Sequence, residues 1–247
     1  LRGNAMNTGE RLELEETDTT TLEHAMRDSE AIGDYERSAA LATFHGDLRA
    51  AVGALRRAQN ALCQEFETGE SRNDDKDEVH QLLQLVAMSI AGYSTPRNED
   101  SSKGNSLWQD MCRTLLRHPF LIDSSQTSHP YLRTVCVFLL LASQVHANEA
   151  DSEVGAQTRW FDDILYNERL SLEDRTAFAC RFLPSGELHK FLDYEKSQAI
   201  AAGRLDGIII LGLGTEGRAL LQVRKYCPSN MWIHTVLTCL FMIIFIF

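Results

Sequence analysis

Proline is scarce, with 5 in 247 residues. An interior proline removes a helix hydrogen bond and clashes with the preceding turn, so this scarcity permits long helices. A cationic excess is missing too. The formal net charge is −11, and Lys and Arg are scattered, usually beside Asp or Glu. Phosphate backbones need clustered cations, so a nucleic-acid partner is not expected. There is no C-x-x-C, no histidine pair at i, i+4, no H-x-x-x-C and no G-x-S-x-G. These absences argue against disulfides, metal binding and nucleophilic catalysis. No convincing strand pairs and no strict repeat period occur, which argues against a consensus array of identical repeats.

Chemistry-bearing residues that do occur read as structural. The six cysteines (Cys63, Cys112, Cys136, Cys180, Cys227 and Cys239) lie mostly inside apolar helical patterns, as buried thiols in a reducing compartment do. The histidines at 24, 45, 80, 118, 129, 146, 189 and 234 share no metal spacing, and His118 lies six residues after Cys112. The acid pairs Asp74-Asp75 and Asp162-Asp163 fall at expected helix ends or loops, and adjacent residues on a helix do not face one pocket. No catalytic, cofactor-binding or metal-binding residue is expected, no cofactor, and no enzyme activity.

The chain has instead the material of a soluble all-α protein, with 44% apolar and 24% charged residues. Residues 1–29 are polar and acid-rich, and read as a linker leading into a weak helix. From Glu30 the pattern changes. Ala39, Ala40, Leu41 and Phe44 make one apolar face, and His45-Gly46-Asp47 interrupts it. Leu48, Ala51, Val52 and Leu55 follow at helical spacing. Gly46 is placed to end the first helix and Asp47 to cap the second, which predicts a helical hairpin. After a charged loop over 67–78, Val79, Leu82, Leu83, Val86 and Ile90 form a stripe with Leu85 and Met88 on its flanks, an arc wide enough to be packed on several sides.

A loop over 93–105 precedes a helix opened by a capping box of Ser106 and Gln109, with Leu107, Met111 and Leu115 on one face. His118-Pro119 ends it. Residues 131–146 read as a buried core helix rather than a membrane span. A short helix runs from Trp160 to Tyr166. Ser171 and Asp174 repeat the capping box ahead of Phe178, Ala179, Phe182 and Leu183. Pro184 stops that helix, and Ser185 is placed to cap the next, which carries Leu188, Phe191, Leu192 and Ala199 and stops at Gly203. Leu205 to Leu211 and Arg218 to Val223 predict a last hairpin. About ten helices in antiparallel succession predict an irregular α-solenoid of stacked helical hairpins over residues 30–226.

Two segments allow other readings. Gly212-Leu213-Gly214-Thr215-Glu216-Gly217 is a literal G-x-G-x-x-G after an Ile-rich run. A dinucleotide site would need a βαβ unit and a later acid, and no acid follows Glu216, so the glycines read as helix ends. Residues 227–247 form an apolar tail, and Met231 to Phe247 would be about 25 Å long as a helix, at the lower margin for crossing a bilayer. It reads as a translated intron or frameshifted end, or as a membrane anchor, which would make the chain a tail-anchored helical adaptor. The chain opens on Leu1 without a cleavable signal peptide, as a fragment would.

Four collinear blocks resemble the helical region of the Mios family of WD-repeat proteins. They are Glu36 to Phe44 with Asp47 to Ala51, Val86 to Tyr93, Asn105 to Cys112, and Leu165 to Glu168 with Asp174 to Leu183, the last continuing through Ala202 to Ile208. The resemblance implies a non-catalytic scaffold subunit of the GATOR complex. Such a subunit supports amino-acid-dependent activation of the target of rapamycin complex, from the cytoplasm and peripherally at the lysosomal membrane surface. It implies other GATOR subunits and small β-propeller proteins as partners. Family members also carry a propeller and a zinc-binding RING-like domain, and no Cys/His cluster of that kind stands in this sequence.

Overall fold

The computed structural model describes residues 8–67, 74–93, 102–122, 129–145 and 161–225. They are helical, with no strand among the described residues: the fold is all-α. The α-helices run in chain order as α1 (Thr8–Ala31), α2 (Tyr35–Phe44), α3 (Leu48–Glu67), α4 (Asp74–Gly92), α5 (Ser102–Leu115), α6 (Pro130–Val145), α7 (Asp162–Leu165), α8 (Leu172–Phe182), α9 (Ser185–Ala202), α10 (Ile208–Leu211) and α11 (Thr215–Lys225). Single 3₁₀ turns occupy Pro119–Leu121 and Leu205–Gly207. None of these helices is long and apolar enough to cross a membrane. The chain divides into two compact units, Leu1–Phe178 and Ala179–Phe247.

The first unit is built on a repeated joint. At Gly33 and Gly46 the backbone turns left-handed, with φ of 83° and 81°. A side chain is disfavoured in that conformation and glycine is not. The next residue is an aspartate each time. Asp34 N–H donates to the Ser29 carbonyl and Asp47 N–H to the Ala42 carbonyl, both at 2.9 Å, closing the spent helix. Each aspartate then opens the following helix. Asp34 Oδ1 accepts from Arg37 N at 3.1 Å, and Asp47 Oδ1 from Ala50 N at 2.9 Å. A joint that ends one helix and starts the next within three residues keeps the two helices neighbours, and α1, α2 and α3 pack in succession.

α2 lies deepest. Ser38, Ala39, Ala40, Ala42, Thr43 and Phe44 are all buried. Small residues on most of its surface let other helices approach closely, and α1, α3 and α6 all pack on it. Phe44 begins an aromatic cluster, with its ring 5.3 Å from Phe138 of α6 and 4.9 Å from Phe178 of α8. Phe161, just before α7, adds a fourth ring 5.2 Å from Phe178. The edge-to-face arrangement of these rings suits their quadrupoles. α6 is a core helix, as its apolar run predicts: Leu132, Val135, Cys136, Leu139 and Leu140 are buried.

In the second unit α9 ends at Gly203, also left-handed at φ 62°. Arg204 N–H returns to the Ala199 carbonyl at 2.9 Å. Leu205, Ile208 and Leu220 form the local core with Leu211 and Leu221 against it.

Several expectations are corrected. The helix expected to be weak before Glu30 is α1, which already begins at Thr8. α5 opens at Ser102, so Ser106 and Gln109 fall inside it. Gln109 serves another purpose there, its Nε2 donating to Ser143 Oγ of α6 at 3.1 Å. The buried face of α5 is Trp108, Cys112 and Leu115, whereas Leu107 is 76% exposed. Trp108 turns inward because its indole N–H reaches the Ser89 carbonyl at 2.9 Å and its ring lies over Gly92. α4 is buried on one side only. Leu82, Leu83, Val86 and Ile90 are inside, and Leu85 and Met88 are exposed. Ser185 is the first residue of α9 rather than its cap, a place taken by Pro184. Cys112 and Cys136 are buried as expected, but Cys63 and Cys180 are exposed. The tail from 227, with Cys227 and Cys239, and the loops over 94–101 and 68–73 lie outside the described residues.

Candidate functional site

Three consecutive residues at the start of α2 reach three different parts of the chain. Glu36 Oε1 meets His129 Nδ1, immediately before α6, at 2.6 Å. Arg37 grips Asp174 of α8 with two parallel bonds, Nε to Oδ2 and Nη2 to Oδ1, both 2.8 Å. Ser38 Oγ donates to Glu30 Oε1 of α1 at 2.7 Å. Glu30 is shared, because Arg57 of α3 donates to it from Nε at 2.7 Å and from Nη2 at 2.6 Å. One helical turn of α2 therefore fastens the helices around it.

The Arg37–Asp174 pair is the most enclosed of these contacts. Asp174 is 5% exposed and Arg37 22%. Tyr131 of α6 donates its hydroxyl to Asp174 Oδ2 at 2.6 Å and accepts from Ser171 N at 3.3 Å. Ser171 Oγ accepts from Asp174 N at 3.1 Å, which is the predicted cap. The reciprocal half of that capping box is missing, since the Asp174 carboxylate is committed to Arg37 and Tyr131. A carboxylate taken out of water needs several donors to offset its lost hydration, and it has them here. The hydrogen bond to Asp174 holds the Arg37 guanidinium further above its ordinary range, against the opposing effect of burial. Burial, and then the Asp174 charge, push the Tyr131 phenol up.

At Glu30 burial raises the carboxyl, but hydrogen bonds from Arg57 and Ser38 outweigh it and hold Glu30 below its usual range. At His129 the bond to Glu36 raises the imidazole above its ordinary value, with burial opposing. The thiols of Cys112 and Cys136 are pushed up by burial to about 11 and about 12 respectively, which keeps them protonated and unreactive at neutral pH.

Beside this polar knot, α3 and α4 flank an open groove of about 450 Å³. Val52, Gly53, Ile90 and Tyr93 form its floor and sides, and Arg49 and Arg56 stand on its α3 edge. A second hollow of similar size is lined by Asp162, Asp163, Tyr166, Asn167, Glu168 and Arg169. Asp162 and Asp163 lie exposed in the first turn of α7.

The other residues singled out by sequence form no site among the described residues. Among the described residues no group of three or more His, Cys, Asp or Glu is arranged to hold a metal ion. His118 Nδ1 caps the 3₁₀ turn after α5 by accepting from Phe120 N, and His189 Nδ1 meets the carbonyl of Ser185 one turn back. The glycine motif is the turn between α10 and α11. The Ile-rich run before it is helical, and Gly212 has φ 61°. A Cβ on Gly217 would stand 1.9 Å from the Gly212 carbonyl oxygen, so that glycine is there for close packing of the turn. Among the described residues no strand precedes it to make a dinucleotide fold.

Sequence reasoning reached Asp174 only as half of a capping box with Ser171, and Arg37 and Ser38 only within a helical block, none of them as a partner across helices. The residues of the Arg37–Asp174 pair are 137 positions apart. The available signal was faint: charged residues on the otherwise apolar, small-residue turn of α2.

Comparison with known proteins agrees with this architecture. A family model described as "MIOS, alpha-solenoid" matches residues 12–182. The GATOR2 complex protein MIOS of Danio rerio is 30% identical over 221 residues, covering 90% of this chain and 20% of the relative. MIOS-A of Xenopus laevis is 31% identical over 208 residues, covering 84% and 18%. SEH-associated protein 4 of Saccharomyces cerevisiae is 32% identical over 190 residues, covering 77% and 14%. The chain spans a fifth or less of the length of these relatives. The matched stretch holds the joints at Gly33 and Gly46, the polar knot on α2 and the aromatic cluster around Phe44, and on that match the chain belongs to the MIOS α-solenoid family.

Proposed function

We propose that this chain is a non-catalytic scaffold segment of a GATOR2 complex, through which the whole protein supports amino-acid-dependent activation of the target of rapamycin complex at the lysosomal surface. The observation that carries the reading is the family match over residues 12–182, joined to relatives named as GATOR2 complex proteins in fish and frog. The yeast relative's name, an SEH-associated protein, supports a role in holding other proteins. The polar chemistry of the first unit supports it as well. The enclosed Arg37–Asp174 pair and the more exposed Glu30–Arg57 pair each tie one helix to another, which is how a frame is held rather than how a substrate is turned over. The partners in this reading are other GATOR2 subunits and small β-propeller proteins.

Co-purification tests it. The full-length protein, tagged and purified at near-physiological salt, is expected to bring down other GATOR2 subunits and a small β-propeller protein in fixed ratio. Clean recovery of the protein with none of them would remove the assignment.

A further inference from the structure

The groove between α3 and α4 has a pattern that the scaffold reading does not use. Arg49, Val52, Gly53 and Arg56 stand at positions i, i+3, i+4 and i+7 of α3, which places them in one stripe along a single helix face. The order along the stripe is basic, apolar, small, basic. Tyr93, just after α4, closes the apolar part from the other side, over the buried Ile90. Gly53 leaves the middle of the stripe without a side chain, and the Arg57 guanidinium lies 3.3 Å from where its Cβ would stand.

The electrostatics are unusual for this chain. It carries 35 acids against 24 Lys and Arg. Yet from Leu48 to Gln64 there is no Asp or Glu, and from Val79 to Tyr93 there is none either. None of the residues that line the groove is acidic. Three arginines stand between Leu48 and Gln64, at positions 49, 56 and 57. Arg57 is consumed by Glu30. Arg49 and Arg56 are exposed and have no ion-pair or hydrogen-bond partner among the described residues. Among the described residues, then, two cations without an ion-pair partner border an apolar floor.

We infer that this groove docks an acidic amphipathic helix of a partner protein, carrying carboxylates at i and i+7 that meet Arg49 and Arg56, with apolar side chains at i+3 and i+4 seated over Val52, Gly53 and Tyr93. The spacing follows from geometry. Seven helical residues rise about 10.5 Å, so a helix laid along α3 repeats the separation of the two arginines. The apolar pair between its acids then falls at Gly53, where the stripe has no side chain. This is the helix-in-groove mode of recognition, with the charges setting register and the apolar pair supplying the buried area. Guanidinium groups suit the role because they accept a carboxylate in two parallel bonds. An acidic helix is favoured over a phosphate polymer because the floor between the two cations is apolar, which an amphipathic helix covers and a phosphate backbone does not.

The inference names a partner chemistry for the scaffold and rests on that reading. Its test uses purified components, so it can fail while GATOR2 co-purification stands, and the reverse. Four fluorescent synthetic peptides are titrated with the full chain by anisotropy. The first is a helical peptide with Glu at i and i+7 flanking Leu at i+3 and i+4. The second has Gln in place of both Glu. The third moves the second Glu to i+5, and the fourth has Ser in place of both Leu. The first should bind, more weakly as salt rises, and the other three clearly less well. Arg49→Glu with Arg56→Glu should weaken the first peptide by at least about tenfold, since two attractions become repulsions. Both positions are exposed, and an unchanged circular-dichroism spectrum would show that the fold is kept. Three results would overturn the inference: no binding of the first peptide, equal binding of the Gln or shifted peptide, or no effect of the double reversal. Single-stranded oligonucleotide bound as tightly as the first peptide would replace the acidic helix with a phosphate polymer as the ligand.

Discussion

At the scale of single residues, the arginine fork on Asp174 is the contact whose loss should be felt most. Removing Arg37 leaves a 5% exposed carboxylate with Tyr131 as its remaining side-chain donor. Breaking a fully buried ion pair costs about 3–5 kcal/mol, and Arg37 is partly solvated, so about 2–3 kcal/mol is expected for Arg37→Ala. Urea unfolding measures it. Arg37→Lys should recover only part of the loss, because an ammonium group cannot make both bonds of the fork. If lysine restored full stability, charge alone would be holding Asp174 and the two-bond geometry would be incidental. His129 gives a second test, through pH. Glu36 raises its imidazole, so the folded chain holds the proton more tightly than the unfolded one. That contribution is fully present below the unfolded value of about 6.5 and is lost as pH rises through the higher folded value. His129→Gln should therefore lower the urea midpoint most near about pH 6 and least near about pH 9. A gap that widened with rising pH would contradict the ion pair.

At the scale of elements, the joints decide the fold. Gly46→Ala places a Cβ in a left-handed conformation at φ 81°. Nothing lies within 4 Å of that Cβ, so the cost is the backbone conformation alone, about 1–2 kcal/mol. Thermal unfolding of the variant checks this, and an unchanged Tm would mean that the joint relaxes freely. These joints were legible in the sequence because their information is local: a glycine that ends a helix and an aspartate that caps the next sit within three residues. The stripes of α2, α3 and α6 were legible for the same reason. The inward face of α5 was not, because both candidate faces carry apolar residues. The choice of Trp108 over Leu107 is made by the Ser89 carbonyl on another helix. The polar knot was illegible on the same grounds. Glu36, Arg37 and Ser38 look like an ordinary solvated helix start until α1, α6 and α8 arrive. The second half of the capping box at Ser171 failed where a distant arginine outcompeted a neighbouring backbone N–H for the same carboxylate.

At the scale of the whole molecule, the division at Phe178 falls close to residue 182, where the family match ends. The first unit contains its own means of stability: the joints at Gly33 and Gly46, the three-way fastening on α2, and the aromatic cluster of Phe44, Phe138, Phe161 and Phe178. The second has a separate small core around Leu205, Ile208 and Leu220. A chain that ends at Leu183 keeps all of α8 and every residue of the knot. It should then unfold cooperatively by itself, with a free energy within about 0.5 kcal/mol of that measured for the first unit in the full chain. Tryptophan fluorescence can follow this. The truncated chain retains Trp108 and Trp160 and lacks Trp232, so its signal reports on the first unit alone. Arg37→Ala should also cost the same in both lengths, because sites without shared partners add. A truncated chain that unfolds gradually, or in which Arg37→Ala costs much less, would show that the knot on α2 depends on residues after Leu183 and that the family domain is not a folding unit in this protein.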